Sequence, residues 1–204
     1  MEPVNSFTSR VVPLPNENID TDIIIPARFL KITDKANMEQ YCFHDWRFDS
    51  AGKPRLDFIL NQTRAKGAKI LLVGKNFGTG SSREHAPWTL MAFGFRAIIS
   101  LSFADIFRSN ALKNGLLPVE LPASTCSELF ELAEKNPAME LTVDLASQSV
   151  KLPNGRSVEF PIDNFSKKCL LEGVDQLGYI LKQEKHIQAF EQAHPVTVPT
   201  SQLQ

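Results

Sequence analysis

Cysteine is scarce in this chain: Cys42, Cys126 and Cys169 are the three in 204 residues, and no two lie close together. An odd, scattered set excludes a disulfide framework and a Cys-x-x-Cys metal site. Excess charge is also missing. Twenty-two basic side chains stand against 23 acidic ones, a formal net charge of −1. That balance excludes the broad basic surface that nucleic acid or an anionic membrane requires, while leaving room for a few arginines around one small anion. No apolar run approaches the roughly 18 residues of a membrane span. Met1 to Arg10 has no apolar leader core, so a soluble protein of the cytoplasm is expected. Repeats and low-complexity tracts are absent. The length suits one domain, residues 1–194, with a polar tail at residues 195–204.

What is present is an alternation of apolar strands and helices. Arg10-Val11-Val12 reads as a short strand closed by Pro13 and Pro15, and Ile23-Ile24-Ile25 as an apolar run stopped by Pro26. Lys69-Ile70-Leu71-Leu72-Val73 is continuously apolar, the pattern of a strand covered on both faces. A helix through Trp88, Leu90, Met91 and Phe93 follows, then a strand at Ala97-Ile98-Ile99. Phe103 to Lys113 reads as a helix and Leu116 to Glu120 as a strand. This succession defines an α/β unit. Further helices are expected over Phe58–Ala65, Ser127–Lys135, Asp163–Leu171 and Asp175–Ala193. Short strands are expected at Glu140–Val143, Ser149–Leu152 and Ser157–Phe160, the last two joined by a hairpin turn at Asn154-Gly155.

The segment from Gly74 to His85, GKNFGTGSSREH, is the candidate functional centre. It lacks the Gly-Lys-Ser/Thr ending of a Walker loop. Arg83 stands where a dinucleotide fingerprint needs its third glycine. No Gly-x-Ser-x-Gly elbow is present. Glycines allow close backbone approach with N–H groups turned toward an anion. Ser81, Ser82 and Arg83 follow at the point where a helix offers free donors and its positive dipole end. Ser81-x-x-Glu84 also matches a capping box. Pro87 weighs against that reading, because proline is tolerated in the first helical turn only, so the helix should start near His85. Asp20-Thr21-Asp22 reads as turn chemistry rather than a metal site. His85 is taken as structural, Trp88 and Phe93 as core, and Glu84 as an orienting or capping group.

Gly80-Ser81-Ser82-Arg83-Glu84-His85-Ala86 resembles the signature of the aconitase swivel-domain family. Ser102-Phe103-Ala104-Asp105-Ile106-Phe107, Asn110, Gly115 and Leu117-Pro118 extend the match. Asn18 to Pro26, Phe29-Leu30-Lys31 and Asp45-Trp46-Arg47 narrow it to the 3-isopropylmalate dehydratase small-subunit branch. The resemblance covers most of residues 5–190. It implies an aconitase-type swivelling β/β/α domain with an added β-hairpin segment and C-terminal helices.

The resemblance also implies a chemistry. Family members isomerise 2-isopropylmalate and 3-isopropylmalate by dehydration and rehydration through isopropylmaleate, in leucine biosynthesis. The family's Lewis acid is a 4Fe–4S cluster. Cys42, Cys126 and Cys169 lack the spacing to hold one, so this chain is expected to bind no metal or cofactor. The cluster would sit on a separate large subunit, with this chain inactive alone and active in a heterodimer. By position, Ser81 matches the catalytic base, and Ser82 and Arg83 match contacts to the carboxylates of a small dicarboxylate substrate. Phe29, Leu30 and Lys31 match the specificity loop, with Phe29 or Leu30 expected near the isopropyl group; equally, they could simply pack that loop. Aconitase's further substrate arginine has no counterpart in Pro13-Leu14-Pro15-Asn16, which suits a substrate with one carboxylate fewer. A homoaconitase-type small subunit is the near alternative. A non-catalytic domain that binds a carboxylate or a partner is the alternative of another class.

Overall fold

The computed structural model describes residues 1–31, 37–80 and 83–194. A seven-stranded sheet organises them, in the order β4-β3-β2-β1-β5-β6-β7. Strand β1 (Ser6–Leu14) leads to the single-turn helix α1 (Thr21–Ile24) and, after a stretch of 3₁₀ turns, to the single-turn helix α2 (His44–Arg47). Then come β2 (Ile70–Val73), α3 (His85–Phe93), β3 (Ala97–Ser100), α4 (Asp105–Asn114), β4 (Leu117–Glu120) and α5 (Ala123–Lys135). The hairpin segment is β5 (Glu140–Asp144), β6 (Ser149–Lys151) and β7 (Ser157–Glu159). The helices α6 (Asn164–Glu172), α7 (Gln176–Lys182) and α8 (Glu184–Ala193) close the described chain.

Strands β1 to β4 are parallel, whereas β1-β5-β6-β7 is antiparallel. The parallel half is buried on both faces. Val12, Leu14, Leu71, Val73 and Ile98 pack on one side with α1, α3 and α4; Val11, Ile70, Leu72, Ile99 and Val119 pack on the other with α5 and the β5–β6 segment. Side chains of a strand alternate between faces, so two covered faces demand an unbroken apolar run. That is the pattern of residues 70–73.

The sequence misleads at Pro13. Strand β1 does not close there but runs through to Leu14, because its two neighbours are offset. On one side β5 pairs with Ser6 to Arg10; on the other, β2 pairs with Val11 to Leu14. The Val11 amide still reaches Met139 O at 3.1 Å on the β5 side. Two residues on, the nitrogen of Pro13 faces the same side, past the beginning of β5, where no ladder bond is lost. Pro118 is tolerated for a related reason: β4 is the edge strand.

Three other expectations are modified. Residues 58–65 form two 3₁₀ turns, Ile59–Asn61 and Thr63–Ala65, in place of one helix. Ile23 and Ile24 belong to α1. The C-terminal helical stretch divides at Gln183 into α7 and α8. The Asn154-Gly155 hairpin forms between β6 and β7 with a longer connection than a two-residue turn, its Gly155 amide donating to Leu152 O at 2.9 Å. No helix of the described residues is long and apolar enough to cross a membrane.

Candidate active site

The loops after β1, β2 and β3 meet at the carboxyl ends of the parallel strands, where open α/β sheets place their ligand sites. Residues 74–80 lie in the middle and are held from both sides. Asn18 N donates to Lys75 O (2.9 Å), Gly78 N to Ile19 O (2.7 Å), and Thr21 N to Thr79 O (2.8 Å). From the other side, Phe77 N donates to Ser102 O (3.1 Å), Ala104 N to Phe77 O (3.0 Å), and Asn76 N to Ser102 Oγ (2.9 Å). The buried Ser100 hydroxyl donates to Gly74 O at 2.7 Å.

The amides of Asn76, Phe77 and Gly78 are therefore spent on the protein. The expectation that this stretch turns its N–H groups toward a ligand does not hold for these three residues. Gly74 and Gly78 serve close packing instead. A Cβ on Gly74 would lie 2.4 Å from Asn16 O, and one on Gly78 would lie 2.2 Å from Cγ of Phe107.

Helix α3 begins at His85 with Pro87 in its first turn, as the proline required. Ser81 is thus not its N-cap. Glu84 occupies the cap position without a side-chain capping bond, so the capping role expected of it is absent. The His85 ring packs at a tilt against Trp88, ring centroids 4.9 Å apart, in keeping with a structural part. Trp88 and Phe93 are half-buried against the core. Ser81 and Ser82, expected as base and substrate ligand, lie outside the described residues.

Arg83 is described and well placed. Its guanidinium is largely covered, with 18% of the side chain exposed, and Nη1 donates to Oδ1 of Asp22. Asp22 sits in the first turn of α1, which Asp20 caps by accepting the Ile23 amide at 2.8 Å. The turn reading of Asp20-Thr21-Asp22 holds for Asp20. Asp22 has a second part, as anchor for Arg83, which sequence reasoning missed. Two carboxylates around one cap position were the signal, since a cap needs only one.

Helix α1 also leads directly into the 3₁₀ turn Ala27–Phe29, so it links Arg83 to Phe29, Leu30 and Lys31. The ring of Phe29 packs 4.5 Å from Tyr41 and 4.9 Å from His44, with the Arg28 guanidinium 4.6 Å above it. These contacts pack one side of the ring within the chain. Leu30 is half-buried and Lys31 exposed.

Arg28 pairs with Asp45 through both carboxylate oxygens, Nη1 to Oδ2 at 2.9 Å and Nη2 to Oδ1. His44 Nδ1 lies 3.2 Å from Arg28 Nη2 and 3.2 Å from Asp45 Oδ1. The Arg28 hydrogen bond holds the Asp45 carboxyl down at about 2. A carboxyl depressed below its unfolded value of about 3.9 contributes stability above that pH, and loses it as pH falls through about 2. The pair is therefore intact at neutral pH.

The cysteines do not suit a metal cluster. All three are buried and apart: burial pushes Cys42 up to about 12, Cys126 up to about 11, and Cys169 above its ordinary value. Cluster ligands are thiolates, the form that burial disfavours at each of these thiols. Among the described residues no group of three or more His, Cys, Asp or Glu side chains is placed to hold a metal ion.

A sheet of this order, with an arginine-bearing loop at a helix start beyond its carboxyl ends, is compatible with the aconitase-type swivel domain that the sequence resemblance implies. The family model for the aconitase C-terminal domain matches residues 1–124, and one described as LeuD_N matches residues 127–164. A protein of Roseiflexus castenholzii named 3-isopropylmalate dehydratase small subunit is 55% identical, covering 98% of each chain. One of the same name from Chloroflexus aggregans is 58% identical, again covering 98% of each. The crystal structure of 3-isopropylmalate dehydratase from Methanocaldococcus jannaschii superposes with a TM-score of 0.64 at 26% identity, over 91% of this chain and 99% of that one. The chain belongs to the 3-isopropylmalate dehydratase small-subunit family.

Proposed function

We propose that this chain is the small subunit of a cytoplasmic hydro-lyase that interconverts 2-isopropylmalate and 3-isopropylmalate through isopropylmaleate, in leucine biosynthesis. The observation that carries the reading is the placement of Arg83, anchored on Asp22 beside an α3 start that no Glu84 side chain caps. Full-length relatives at 54–58% identity carry this small-subunit name, which supports the substrate.

In this reading Arg83 grips a substrate carboxylate at the α3 N-terminus, where the helix dipole adds to the guanidinium. Ser82 adds a hydroxyl donor. Ser81 removes the proton from the carbon beside that carboxylate, its alkoxide favoured by the neighbouring positive charge. Leu30 or Phe29 approaches the alkyl side, and Lys31 follows in the same loop. The 4Fe–4S cluster belongs to the large subunit, since the thiols of this chain do not fit it; this chain completes the site by closing over its partner.

The purified chain alone should not hydrate isopropylmaleate, and the 1:1 complex with a cluster-loaded large subunit should. Absorbance of the isopropylmaleate double bond follows the reaction. Turnover by the isolated chain would sink the proposal; preference of the complex for a longer-chain homoaconitase substrate would move it to that neighbour.

Arg83→Lys separates a carboxylate grip from general basicity. Lysine keeps the charge and loses the planar two-point donor geometry. The KM of the complex should rise about tenfold or more, equivalent to about 1.4 kcal/mol of binding. An unchanged KM would place the carboxylate elsewhere.

A further inference from the structure

Phe29 would be a poor platform if its turn were held by the chain alone. The turn Ala27–Phe29 is three residues long, and no side chain caps it. A single 3₁₀ turn holds little stability of its own. Its position must come from elsewhere: among the described residues, the Arg28 side chain bonds to Asp45 and His44, and the Phe29 ring meets Tyr41 and His44.

That second segment is itself firmly seated. Arg47 donates to Glu39 O (2.7 Å), Cys42 O (3.2 Å) and Asn61 Oδ1 (3.1 Å), and its guanidinium lies 5.0 Å from the Phe93 ring of α3. Trp46 meets Phe43 at 5.8 Å and Phe58 at 5.9 Å. Phe43 is fully buried and held in the left-handed region, φ 49° and ψ 38°, its amide donating to Ile24 O at 2.8 Å. A bulky residue there is strained and persists only where its surroundings dictate the backbone. The Phe43–Ile24 bond and the burial of Phe43 hold the start of α2 against the end of α1.

From α2, Asp45 reaches back to Arg28. The two side chains are about half exposed, so their pairing adds little to stability. What a two-point guanidinium–carboxylate pair supplies is orientation. It locks the residue beside Phe29 in one rotamer and clamps the ring against Tyr41 and His44.

We propose that Asp45 is a positioning residue for substrate specificity: through Arg28 it fixes the Phe29 turn, and with it the placement of Leu30 against the alkyl group of the substrate. The proposal rests on the reading above, with Leu30 as the residue that faces that alkyl group.

The reconstituted complex tests it with two substrates, isopropylmaleate and methylmaleate, which differ only in the alkyl group. The readout is the ratio of their kcat/KM values. Leu30→Ala checks the underlying reading and should lower the ratio about tenfold or more. Asp45→Asn removes the charge at constant shape and should lower the ratio about three- to tenfold, through a raised KM for isopropylmaleate with kcat nearly unchanged. Arg28→Lys should fall between it and the wild type, because an ammonium cannot span both carboxylate oxygens. Exchanging the partners, Arg28→Asp with Asp45→Arg, should recover part of the ratio. Melting curves and gel filtration with the large subunit establish that each variant folds and assembles. If Leu30→Ala shifts the ratio while Asp45→Asn and Arg28→Lys leave it alone, the positioning inference is overturned and the alkyl reading stands. An equal loss on both substrates overturns it too. If Leu30→Ala also leaves the ratio unchanged, the alkyl reading itself fails and carries the inference with it.

Discussion

Ser81→Ala in the reconstituted complex should lower turnover of isopropylmaleate by about 10²–10⁴-fold, the range for losing a positioned acid–base group, with KM little changed. In the proposed reading the carboxylate grip belongs to Arg83 and Ser82, which the substitution leaves in place. A ground-state hydroxyl adds little to binding, whereas an oxygen that accepts the proton acts in the transition state alone. The ordinary serine hydroxyl is far too weak an acid to ionise at neutral pH, so the surrounding charge must favour its alkoxide. In the proposed reading that charge comes from Arg83, two residues further along the chain and paired with Asp22. Steady-state kinetics at saturating substrate measure the effect. Unchanged turnover would identify the domain as a binding module and remove the base from this chain.

Gly78→Ala should have the largest effect on stability. Two terms add. The glycine has φ +80°, where a Cβ costs about 1–2 kcal/mol. The new methyl would also stand 2.2 Å from Cγ and 2.5 Å from Cβ of Phe107. Phe107 is 2% exposed and packs edge-on against Phe77 at 5.1 Å, so it has no room to withdraw. Overpacking of this kind costs about 1–3 kcal/mol more. At roughly 2–4 °C per kcal/mol for a domain of this size, the melting temperature should drop by about 5–15 °C. Gly52→Ala is the comparison: φ is +75°, but nothing lies within 4 Å of the added Cβ. It should suffer the backbone term alone, about half the shift or less. Equal shifts in the two variants would show that the contact with Phe107 does not bear on stability. The complex carrying Gly78→Ala should also lose activity, because displacing the loop by an ångström displaces Arg83 with it.

Much of this site was written locally. Pro87 placed the start of α3 near His85, since a ring that clashes with the preceding turn admits few positions. Unbroken apolar runs at residues 70–73 and 97–99 announced strands covered on both faces. The helix expected from Asp163 forms over Asn164–Glu172. These features follow from steric limits and periodicities within a few residues, and such terms do not depend on the rest of the fold. The motif order from Asn18 to Pro118 carried the family for the same reason: it is a string.

Tertiary structure alone decided the remainder. Pro13 could lie inside β1 because β5 and β2 flank it out of step. The amides of Asn76 to Gly78 look available for an anion in one dimension, yet Ser102 and Ile19 take them in three. Asp22 meets Arg83 across 61 residues, and Arg28 meets Asp45 across 17. Charged side chains are long, flexible and individually weak, so spacing does not select their partners; the packed core brings two of them together and excludes the others. The sequence by itself determined which residue types carry the chemistry and where the helix that presents them begins. Only the folded chain determined which carboxylate holds which arginine.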